Sequence, residues 1–328
     1  MKPPLSGHVR WEAARPLEAY RACRLCPRRC GVDRMAAVHS GKTGFCGETD
    51  QLRVAHVGPH FGEEPPVSGR KGSGAVFFSG CTLRCTFCQN HQISRGGQGE
   101  AVSLEHLWER VKEMIRGDQV HNLNLVTPDH FLPHALTLVA RQRAEGLDVP
   151  VVFNLSGYQS PEWLDMAGSG ADIYLPDFKY GDARLAARLS SCGEYPETAL
   201  DAISEMVRQK GFLDTFSSGA EIAKKGVLVR HLILPGYVQN SMDALSSLFL
   251  EFGKDLPLSL MSQYYPVVKH KDARLNRTLT HAEFHQVYAH VRALGFRNLF
   301  VQFPEKTRRR AAVPPALVPD FRKAAPFG

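Results

Sequence analysis

Three cysteines crowd into the stretch Gly80-Cys81-Thr82-Leu83-Arg84-Cys85-Thr86-Phe87-Cys88-Gln89-Asn90, directly after the apolar run Ala75-Val76-Phe77-Phe78. Their Cys-x3-Cys-x2-Cys spacing lets one short loop turn three thiolates toward a common point, as an iron-sulfur cluster requires and a zinc site could also use. A cubane 4Fe-4S cluster normally takes four thiolates, so three leave one iron open to a ligand from elsewhere. An open iron implies chemistry as well as electron storage. The plain alternative is three thiols packed as small hydrophobes in a core turn. It gives no reason for them to gather in one loop.

A second group lies upstream, in Cys23-Arg24-Leu25-Cys26-Pro27-Arg28-Arg29-Cys30-Gly31 and Gly44-Phe45-Cys46-Gly47. Cys23, Cys26, Cys30 and Cys46 make a complete set of four thiolates for zinc or for a further iron-sulfur cluster. With no vacant position, such a site would be structural or would relay electrons; unconnected thiols are the alternative. Cys192 stands alone and is expected to be inert. Glu63 and Glu64 sit in a turn-rich stretch, where they could meet a cationic group or simply face solvent. Gly96-Gly97-Gln98-Gly99 lacks the preceding strand and the lysine-serine end of a phosphate loop.

Clustered cysteines in a chain with no disulfide-like spread fit a reducing compartment, and no apolar run reaches the roughly 18 residues that span a bilayer. The N-terminus lacks the order of a signal peptide, so the cytoplasm is the expected location. The formal charge of +7 is modest for 328 residues. No basic block interleaves with aromatics, and Arg308-Arg309-Arg310 is expected to be solvated, so nucleic acid is not the expected partner.

These groups must be positioned by elements that alternate along the chain. Strand-like runs are expected at 75–78, 122–126, 149–154, 172–175, 227–234, 258–261 and 298–301, with a weaker alternation over 51–57. Between them, 103–116 places Leu104, Leu107, Trp108, Val111 and Ile115 on one helical face with Ser103 as N-cap. Residues 199–207 and 281–294 behave similarly. Repeated β/α units imply an α/β fold, a partial or irregular (β/α)6-type barrel, with a small cysteine-rich extension before it. The expected organisation is a cysteine-rich segment over 1–70, the barrel over 71–305 and a basic, proline-rich tail over 306–328. Sites in such barrels lie at the C-terminal strand ends. Here those ends carry Thr127-Pro128-Asp129-His130, Asn154-Leu155-Ser156-Gly157-Tyr158, Asp177-Phe178-Lys179 and Ser262-Gln263-Tyr264, while Arg230-His231 lies within the fifth strand. Together they predict a polar basin facing the cysteine loop. His91, His130 and His231 are the histidines nearest to it, each more readily explained by packing than by ligation.

The loop resembles that of the radical S-adenosylmethionine (SAM) superfamily. The order CRLCPRRCGVDR, GKTGFCGE, EEPPVSG, FFSGCTLRCTFCQNHQIS, NLVTPDH, FNLSGY, DIYLPDFKY, RHLILPG and LMSQYYP resembles an uncharacterised branch similar to pyruvate formate-lyase activating enzyme. The resemblance implies that Cys81, Cys85 and Cys88 hold three irons of a 4Fe-4S cluster, while the amine and carboxylate of SAM chelate the fourth. It implies reductive cleavage of SAM to a 5′-deoxyadenosyl radical and hydrogen abstraction from a substrate, with a flavodoxin- or ferredoxin-type electron donor. Many members carry a Gly-Gly-Glu turn after the second strand; Val126-Thr127-Pro128 stands there, making Thr127 a candidate for the SAM amine. By the same resemblance Asn154, Ser156 and Tyr158 fall near the ribose or carboxylate, Asp177 and Lys179 match an aspartate-x-lysine element, and Arg230 matches an arginine near SAM. A glycyl radical protein is the partner implied for an activase. A small molecule, peptide or RNA is the alternative substrate, and a noncatalytic iron-sulfur or zinc module the alternative class.

Overall fold

The computed structural model describes residues 15–304 and 318–327. Arg308-Arg309-Arg310 lies outside the described residues. Ten strands occur in the order β1 (Arg53–His60), β2 (Ser73–Phe78), β3 (Glu100–Ala101), β4 (Leu123–Val126), β5 (Val151–Leu155), β6 (Ile173–Pro176), β7 (Gly226–Val227), β8 (Val229–Leu232), β9 (Leu258–Met261) and β10 (Leu299–Val301). They form a sheet ordered β3-β1-β2-β4-β5-β6-β7 and another ordered β10-β9-β8. A parallel bridge between Asp177 and Arg230 joins the two. From β2 onward neighbouring strands are parallel, whereas β1 is antiparallel to both β2 and β3. The fold is mixed α/β, a partial (β/α) barrel as the sequence implied.

Parallel strands covered on both faces need near-continuous apolar runs, and β2, β4 and β5 are buried at every position. The expected fifth strand is divided. Its first part pairs with β6 and its second with β9. The weak alternation near 51–57 becomes β1, an outer strand laid against the barrel.

The helices start where their caps place them. Ser103 accepts from His106 N at 3.1 Å ahead of Leu104–Glu113, burying Leu107, Trp108 and Val111. Thr280 and Glu283 form a capping box on His281–Leu294, and 199–207 lies within the longer helix Tyr195–Lys210. Among the described residues, no helix is long and apolar enough to cross a membrane.

Candidate functional site

The cysteine loop leaves the C-terminal end of β2 through Gly80, whose φ is +82°. A Cβ there would come within 2.4 Å of Glu48 Cγ and 2.9 Å of His130 Nε2, so only glycine fits. Gly80 N donates to Ile93 O at 3.0 Å, Cys88 N to Cys85 O at 3.2 Å and Thr86 N to Leu189 O at 2.8 Å. The first two fold the loop back on itself, and the third ties it to the helix Ala183–Ser190. Phe87 is buried edge-on to Tyr180, ring centres 6.2 Å apart. Cys85 is buried and accepts from Ser190 Oγ at 3.0 Å. Cys81 and Cys88 open onto a cavity of about 420 Å³ that Cys85 also lines. Burial, then the neighbouring Cys85, pushes both the Cys81 and Cys88 thiols up.

The same cavity is lined by Thr127, Asn154, Ser156, Asp177, Lys179 and Arg230. Arg230 organises them. Its guanidinium donates to Asp177 Oδ1 at 3.1 Å, to Glu63 Oε2 at 2.9 Å and to Asn154 Oδ1 at 2.5 Å. Lys179 pairs with the other Asp177 oxygen. Glu63 Oε1 accepts from Asn124 and Asn154, each at 3.0 Å. Burial disfavours the Asp177 carboxylate, but Lys179 and Arg230 outweigh it and hold its pKa below the usual carboxylate range. Lys179 shows the mirror case: burial opposes its charge, yet Asp177 and then Cys85 hold the ammonium above the ordinary lysine value. Thr127 adopts a φ of +57°, a genuine outlier for a β-branched residue and characteristic of strain kept at functional positions.

One residue predicted for this basin lies elsewhere. Gly157, at φ +79°, turns the chain where a Cβ would lie 2.1 Å from Asp177 O. Tyr158 consequently lies outside the cavity lining, buried, with its hydroxyl donating to Glu194 Oε1 at 2.6 Å. His130 bonds Ser79 O at 2.5 Å and His231 sits between Phe178 O and Ser241 Oγ at 2.6 and 2.9 Å. Neither lines the cavity, nor does His91. Burial lowers the pKa of His130 to about 3 and of His231 to about 4, so both are neutral packing groups. Cys192 is fully buried.

Glu63 and Glu64 are the residues sequence reasoning undervalued. The turn that carries them enters the barrel instead of facing solvent, and both line the cavity. Glu64 Oε2 is buried without a hydrogen-bond partner, and burial raises the pKa of this carboxyl. The signal available was the pair of prolines after two acids, which fixes a turn without saying where it docks.

The upstream cysteines pack behind the loop. Cys46 O accepts from Cys81 N at 3.4 Å. Arg28 donates to Thr82 O at 3.1 Å and to Ser190 O at 2.8 Å, its guanidinium 3.9 Å above the Phe45 ring. Cys23 and Cys46 are buried, Cys26 half-buried and Cys30 exposed. Burial pushes the Cys26 thiol up to about 12. Among the described residues, no three Cys, His, Asp or Glu side chains gather as ligands of one metal ion. A four-iron cubane is wider than an ion and spaces its thiolates farther apart.

A sequence profile of the radical SAM superfamily matches residues 75–242, just over half the chain, and the chain belongs to that superfamily. An uncharacterised protein of Methanocaldococcus jannaschii is 26% identical over 270 residues, covering 80% of this chain and 72% of that one. Streptococcus suis SuiB bound to its precursor peptide SuiA overlays with a TM-score of 0.47 at 10% identity. That overlay spans 68% of this chain and 46% of SuiB. Methylornithine synthase overlays with a TM-score of 0.42 at 14% identity over 70% of each chain.

The family implies a 4Fe-4S cluster and SAM, and residues beside the loop suit such a group. Asn90 Oδ1 is buried without a partner, and Asn90 lines the cavity with the three cysteines, as does Glu64 with its unpartnered Oε2. Polar atoms left without partners in a pocket are what a polar ligand would satisfy.

Proposed function

We propose that this chain is a radical SAM enzyme similar to pyruvate formate-lyase activating enzyme, in which Cys81, Cys85 and Cys88 hold three irons of a 4Fe-4S cluster and leave the fourth to SAM. When bound and reduced, that pair supplies one-electron cleavage of a carbon-sulfur bond and a carbon-centred radical for hydrogen abstraction. The observation that carries the reading is a shared cavity: the three cysteines open onto the same space as Asn154, Asp177, Lys179 and Arg230. Arg230 and Lys179, fixed by Asp177 and Glu63, offer cationic donors to a carboxylate. Asn154 and Ser156 would meet the SAM ribose or carboxylate, and Thr127 would take the amine in place of a Gly-Gly-Glu turn. Leu83, Phe87 and Tyr264 form apolar walls that keep water away.

The substrate proposed is a glycine Cα–H on a partner protein, as the resemblance to glycyl radical activases implies, with a small molecule, peptide or RNA as the alternative. The upstream cysteines, Cys23, Cys26, Cys30 and Cys46, are proposed to hold a second iron-sulfur cluster that passes electrons from a flavodoxin- or ferredoxin-type donor. The contact between Cys46 O and Cys81 N supports this, and zinc is the alternative occupant of the four thiolates. The working organisation keeps the segment 1–70, the barrel 71–305 and the tail 306–328, in a cytoplasmic protein.

The test is anaerobic reconstitution of the wild type beside a Cys81→Ala, Cys85→Ala, Cys88→Ala variant, with iron and sulfide analysis, spectroscopy with and without SAM, and assay for 5′-deoxyadenosine after reduction. The variant should lose the SAM-responsive cluster and all product while keeping whatever the upstream cysteines bind. A SAM-responsive signal that survives in the variant would place the active cluster elsewhere. An intact wild-type cluster that yields no 5′-deoxyadenosine would favour a noncatalytic module.

A further inference from the structure

Residues 318–327 fold back onto the barrel and reach the cavity that holds the cysteines. Phe327 is one of its lining residues. Its ring lies 4.3 Å from His60 and 5.3 Å from Phe77, and the ring of Phe321 lies 5.4 Å from Phe77. Phe77 belongs to the inner face of β2, clustered with Ala75, Ile93 and Val126, and Val126 immediately precedes Thr127. The two phenylalanines therefore pack on the wall of the site.

Polar contacts fix the segment beside the cysteine loop. Gln92, in the short helix His91–Ser94 that follows Cys88, accepts from Phe321 N at 2.7 Å and donates to Asp320 Oδ1 at 3.1 Å. The turn is closed by Asp320 N donating to Pro326 O at 3.0 Å, and Arg322 holds the Asp320 carboxylate at 2.7 Å. Arg322, Lys323, Ala324 and Ala325 face solvent, and both phenylalanines are only half-buried. Such a segment is seated by a few side chains and can leave without opening the core.

We infer that residues 318–327 are a displaceable plug: Phe327 fills one side of the cavity, Phe321 braces the segment on Phe77, and a substrate that needs this side reaches the cysteine loop only when Phe321 and Phe327 come off Phe77 and His60. This rests on the cavity being the active site. A tethered segment competes at an effective concentration on the order of millimolar. A substrate that binds the mouth more tightly than this displaces the plug, whereas water and small solutes are held off the site between turnovers.

The experiment compares the reconstituted full chain with a chain ending at residue 317. A fluorescein-labelled peptide of residues 318–328 should bind the shortened protein saturably at millimolar concentration or below, as read by fluorescence anisotropy, and bind the full chain at least about tenfold more weakly. The shortened protein should also form 5′-deoxyadenosine several-fold faster without substrate, and the free peptide should reverse this. If the peptide fails to bind a shortened protein that keeps its iron content and melting temperature, the plug is refuted. Slower product formation after truncation would likewise refute it, since the segment would then be part of the catalytic wall. Should truncation unfold the chain, the full-length Phe321→Ala, Phe327→Ala variant carries the test through hydrogen exchange over residues 318–327. Faster exchange there with more uncoupled product supports the plug, and unchanged exchange refutes it. Absence of 5′-deoxyadenosine from every protein would fault the enzymatic reading and leave peptide binding to judge the plug.

Discussion

The two cysteine groups meet at one main-chain contact, Cys81 N to Cys46 O at 3.4 Å, yet their surroundings differ. Cys81, Cys85 and Cys88 line a cavity with Asp177, Lys179 and Arg230, where charged side chains are paired and buried. Cys23, Cys26, Cys30 and Cys46 do not line that cavity; Arg34 lies 3.9 Å from Cys23 Sγ, and Phe45 N donates to Cys30 Sγ at 3.4 Å. Cys30 reaches the exterior. A group open to a ligand cavity suits catalysis, whereas one with its thiolates committed and an edge at the surface suits electron delivery. Sulfur count alone does not separate these roles; what each group faces does.

The comparison breaks most visibly if the upstream cysteines are removed together. A Cys23→Ser, Cys26→Ser, Cys30→Ser, Cys46→Ser variant should keep the SAM-responsive cluster and form 5′-deoxyadenosine with a chemical reductant, while losing turnover driven by a flavodoxin or ferredoxin. Equal turnover from both sources would reduce the upstream site to a structural one. A smaller but still large effect is expected on the cavity side from Arg230→Leu. Arg230→Leu takes the paired cation from Glu63 and leaves Asp177 with Lys179, at a cost of up to about 3–5 kcal/mol for a pair as enclosed as Arg230 and Glu63. Denaturant unfolding should report that loss, and calorimetry should show weakened SAM binding, while the metal content of the protein stays near wild type. Unchanged SAM affinity in a folded variant would remove Arg230 from the binding set.

Much of the frame could be read from the chain because its signals are local. Fully buried parallel strands require apolar runs, so β2 and β5 announce themselves, and the cap Ser103 marks a helix start. The cysteine loop was legible for the same reason: its ligands lie within one turn of chain. What escaped depends on tertiary placement. Glu63 meets Arg230 across 167 positions, and nothing in Glu63-Glu64-Pro65-Pro66 says that the turn inserts into a barrel. Tyr158 follows a strand end like its neighbours, but the left-handed turn at Gly157 carries it out of the cavity lining. Phe321 reaches Gln92 across 229 positions, a contact no periodicity encodes.

The finest division between the two groups runs through one residue. Ser190 donates its hydroxyl to Cys85 Sγ at 3.0 Å, lies 2.6 Å from the Tyr180 hydroxyl, and gives its carbonyl to Arg28 at 2.8 Å. Its side chain thus serves the loop group and its main chain the upstream group. Replacement by alanine removes only the former, at a stability cost on the order of 1 kcal/mol. Hydrogen bonds to ligand sulfur stabilise the reduced cluster and raise its potential. Ser190→Ala should therefore lower the reduction potential of the SAM-binding cluster and leave that of the upstream group unchanged, as followed by redox titration with electron paramagnetic resonance. Movement of both potentials together would mean that the two groups are electrostatically one site, and the contrast in their surroundings would no longer assign them separate roles.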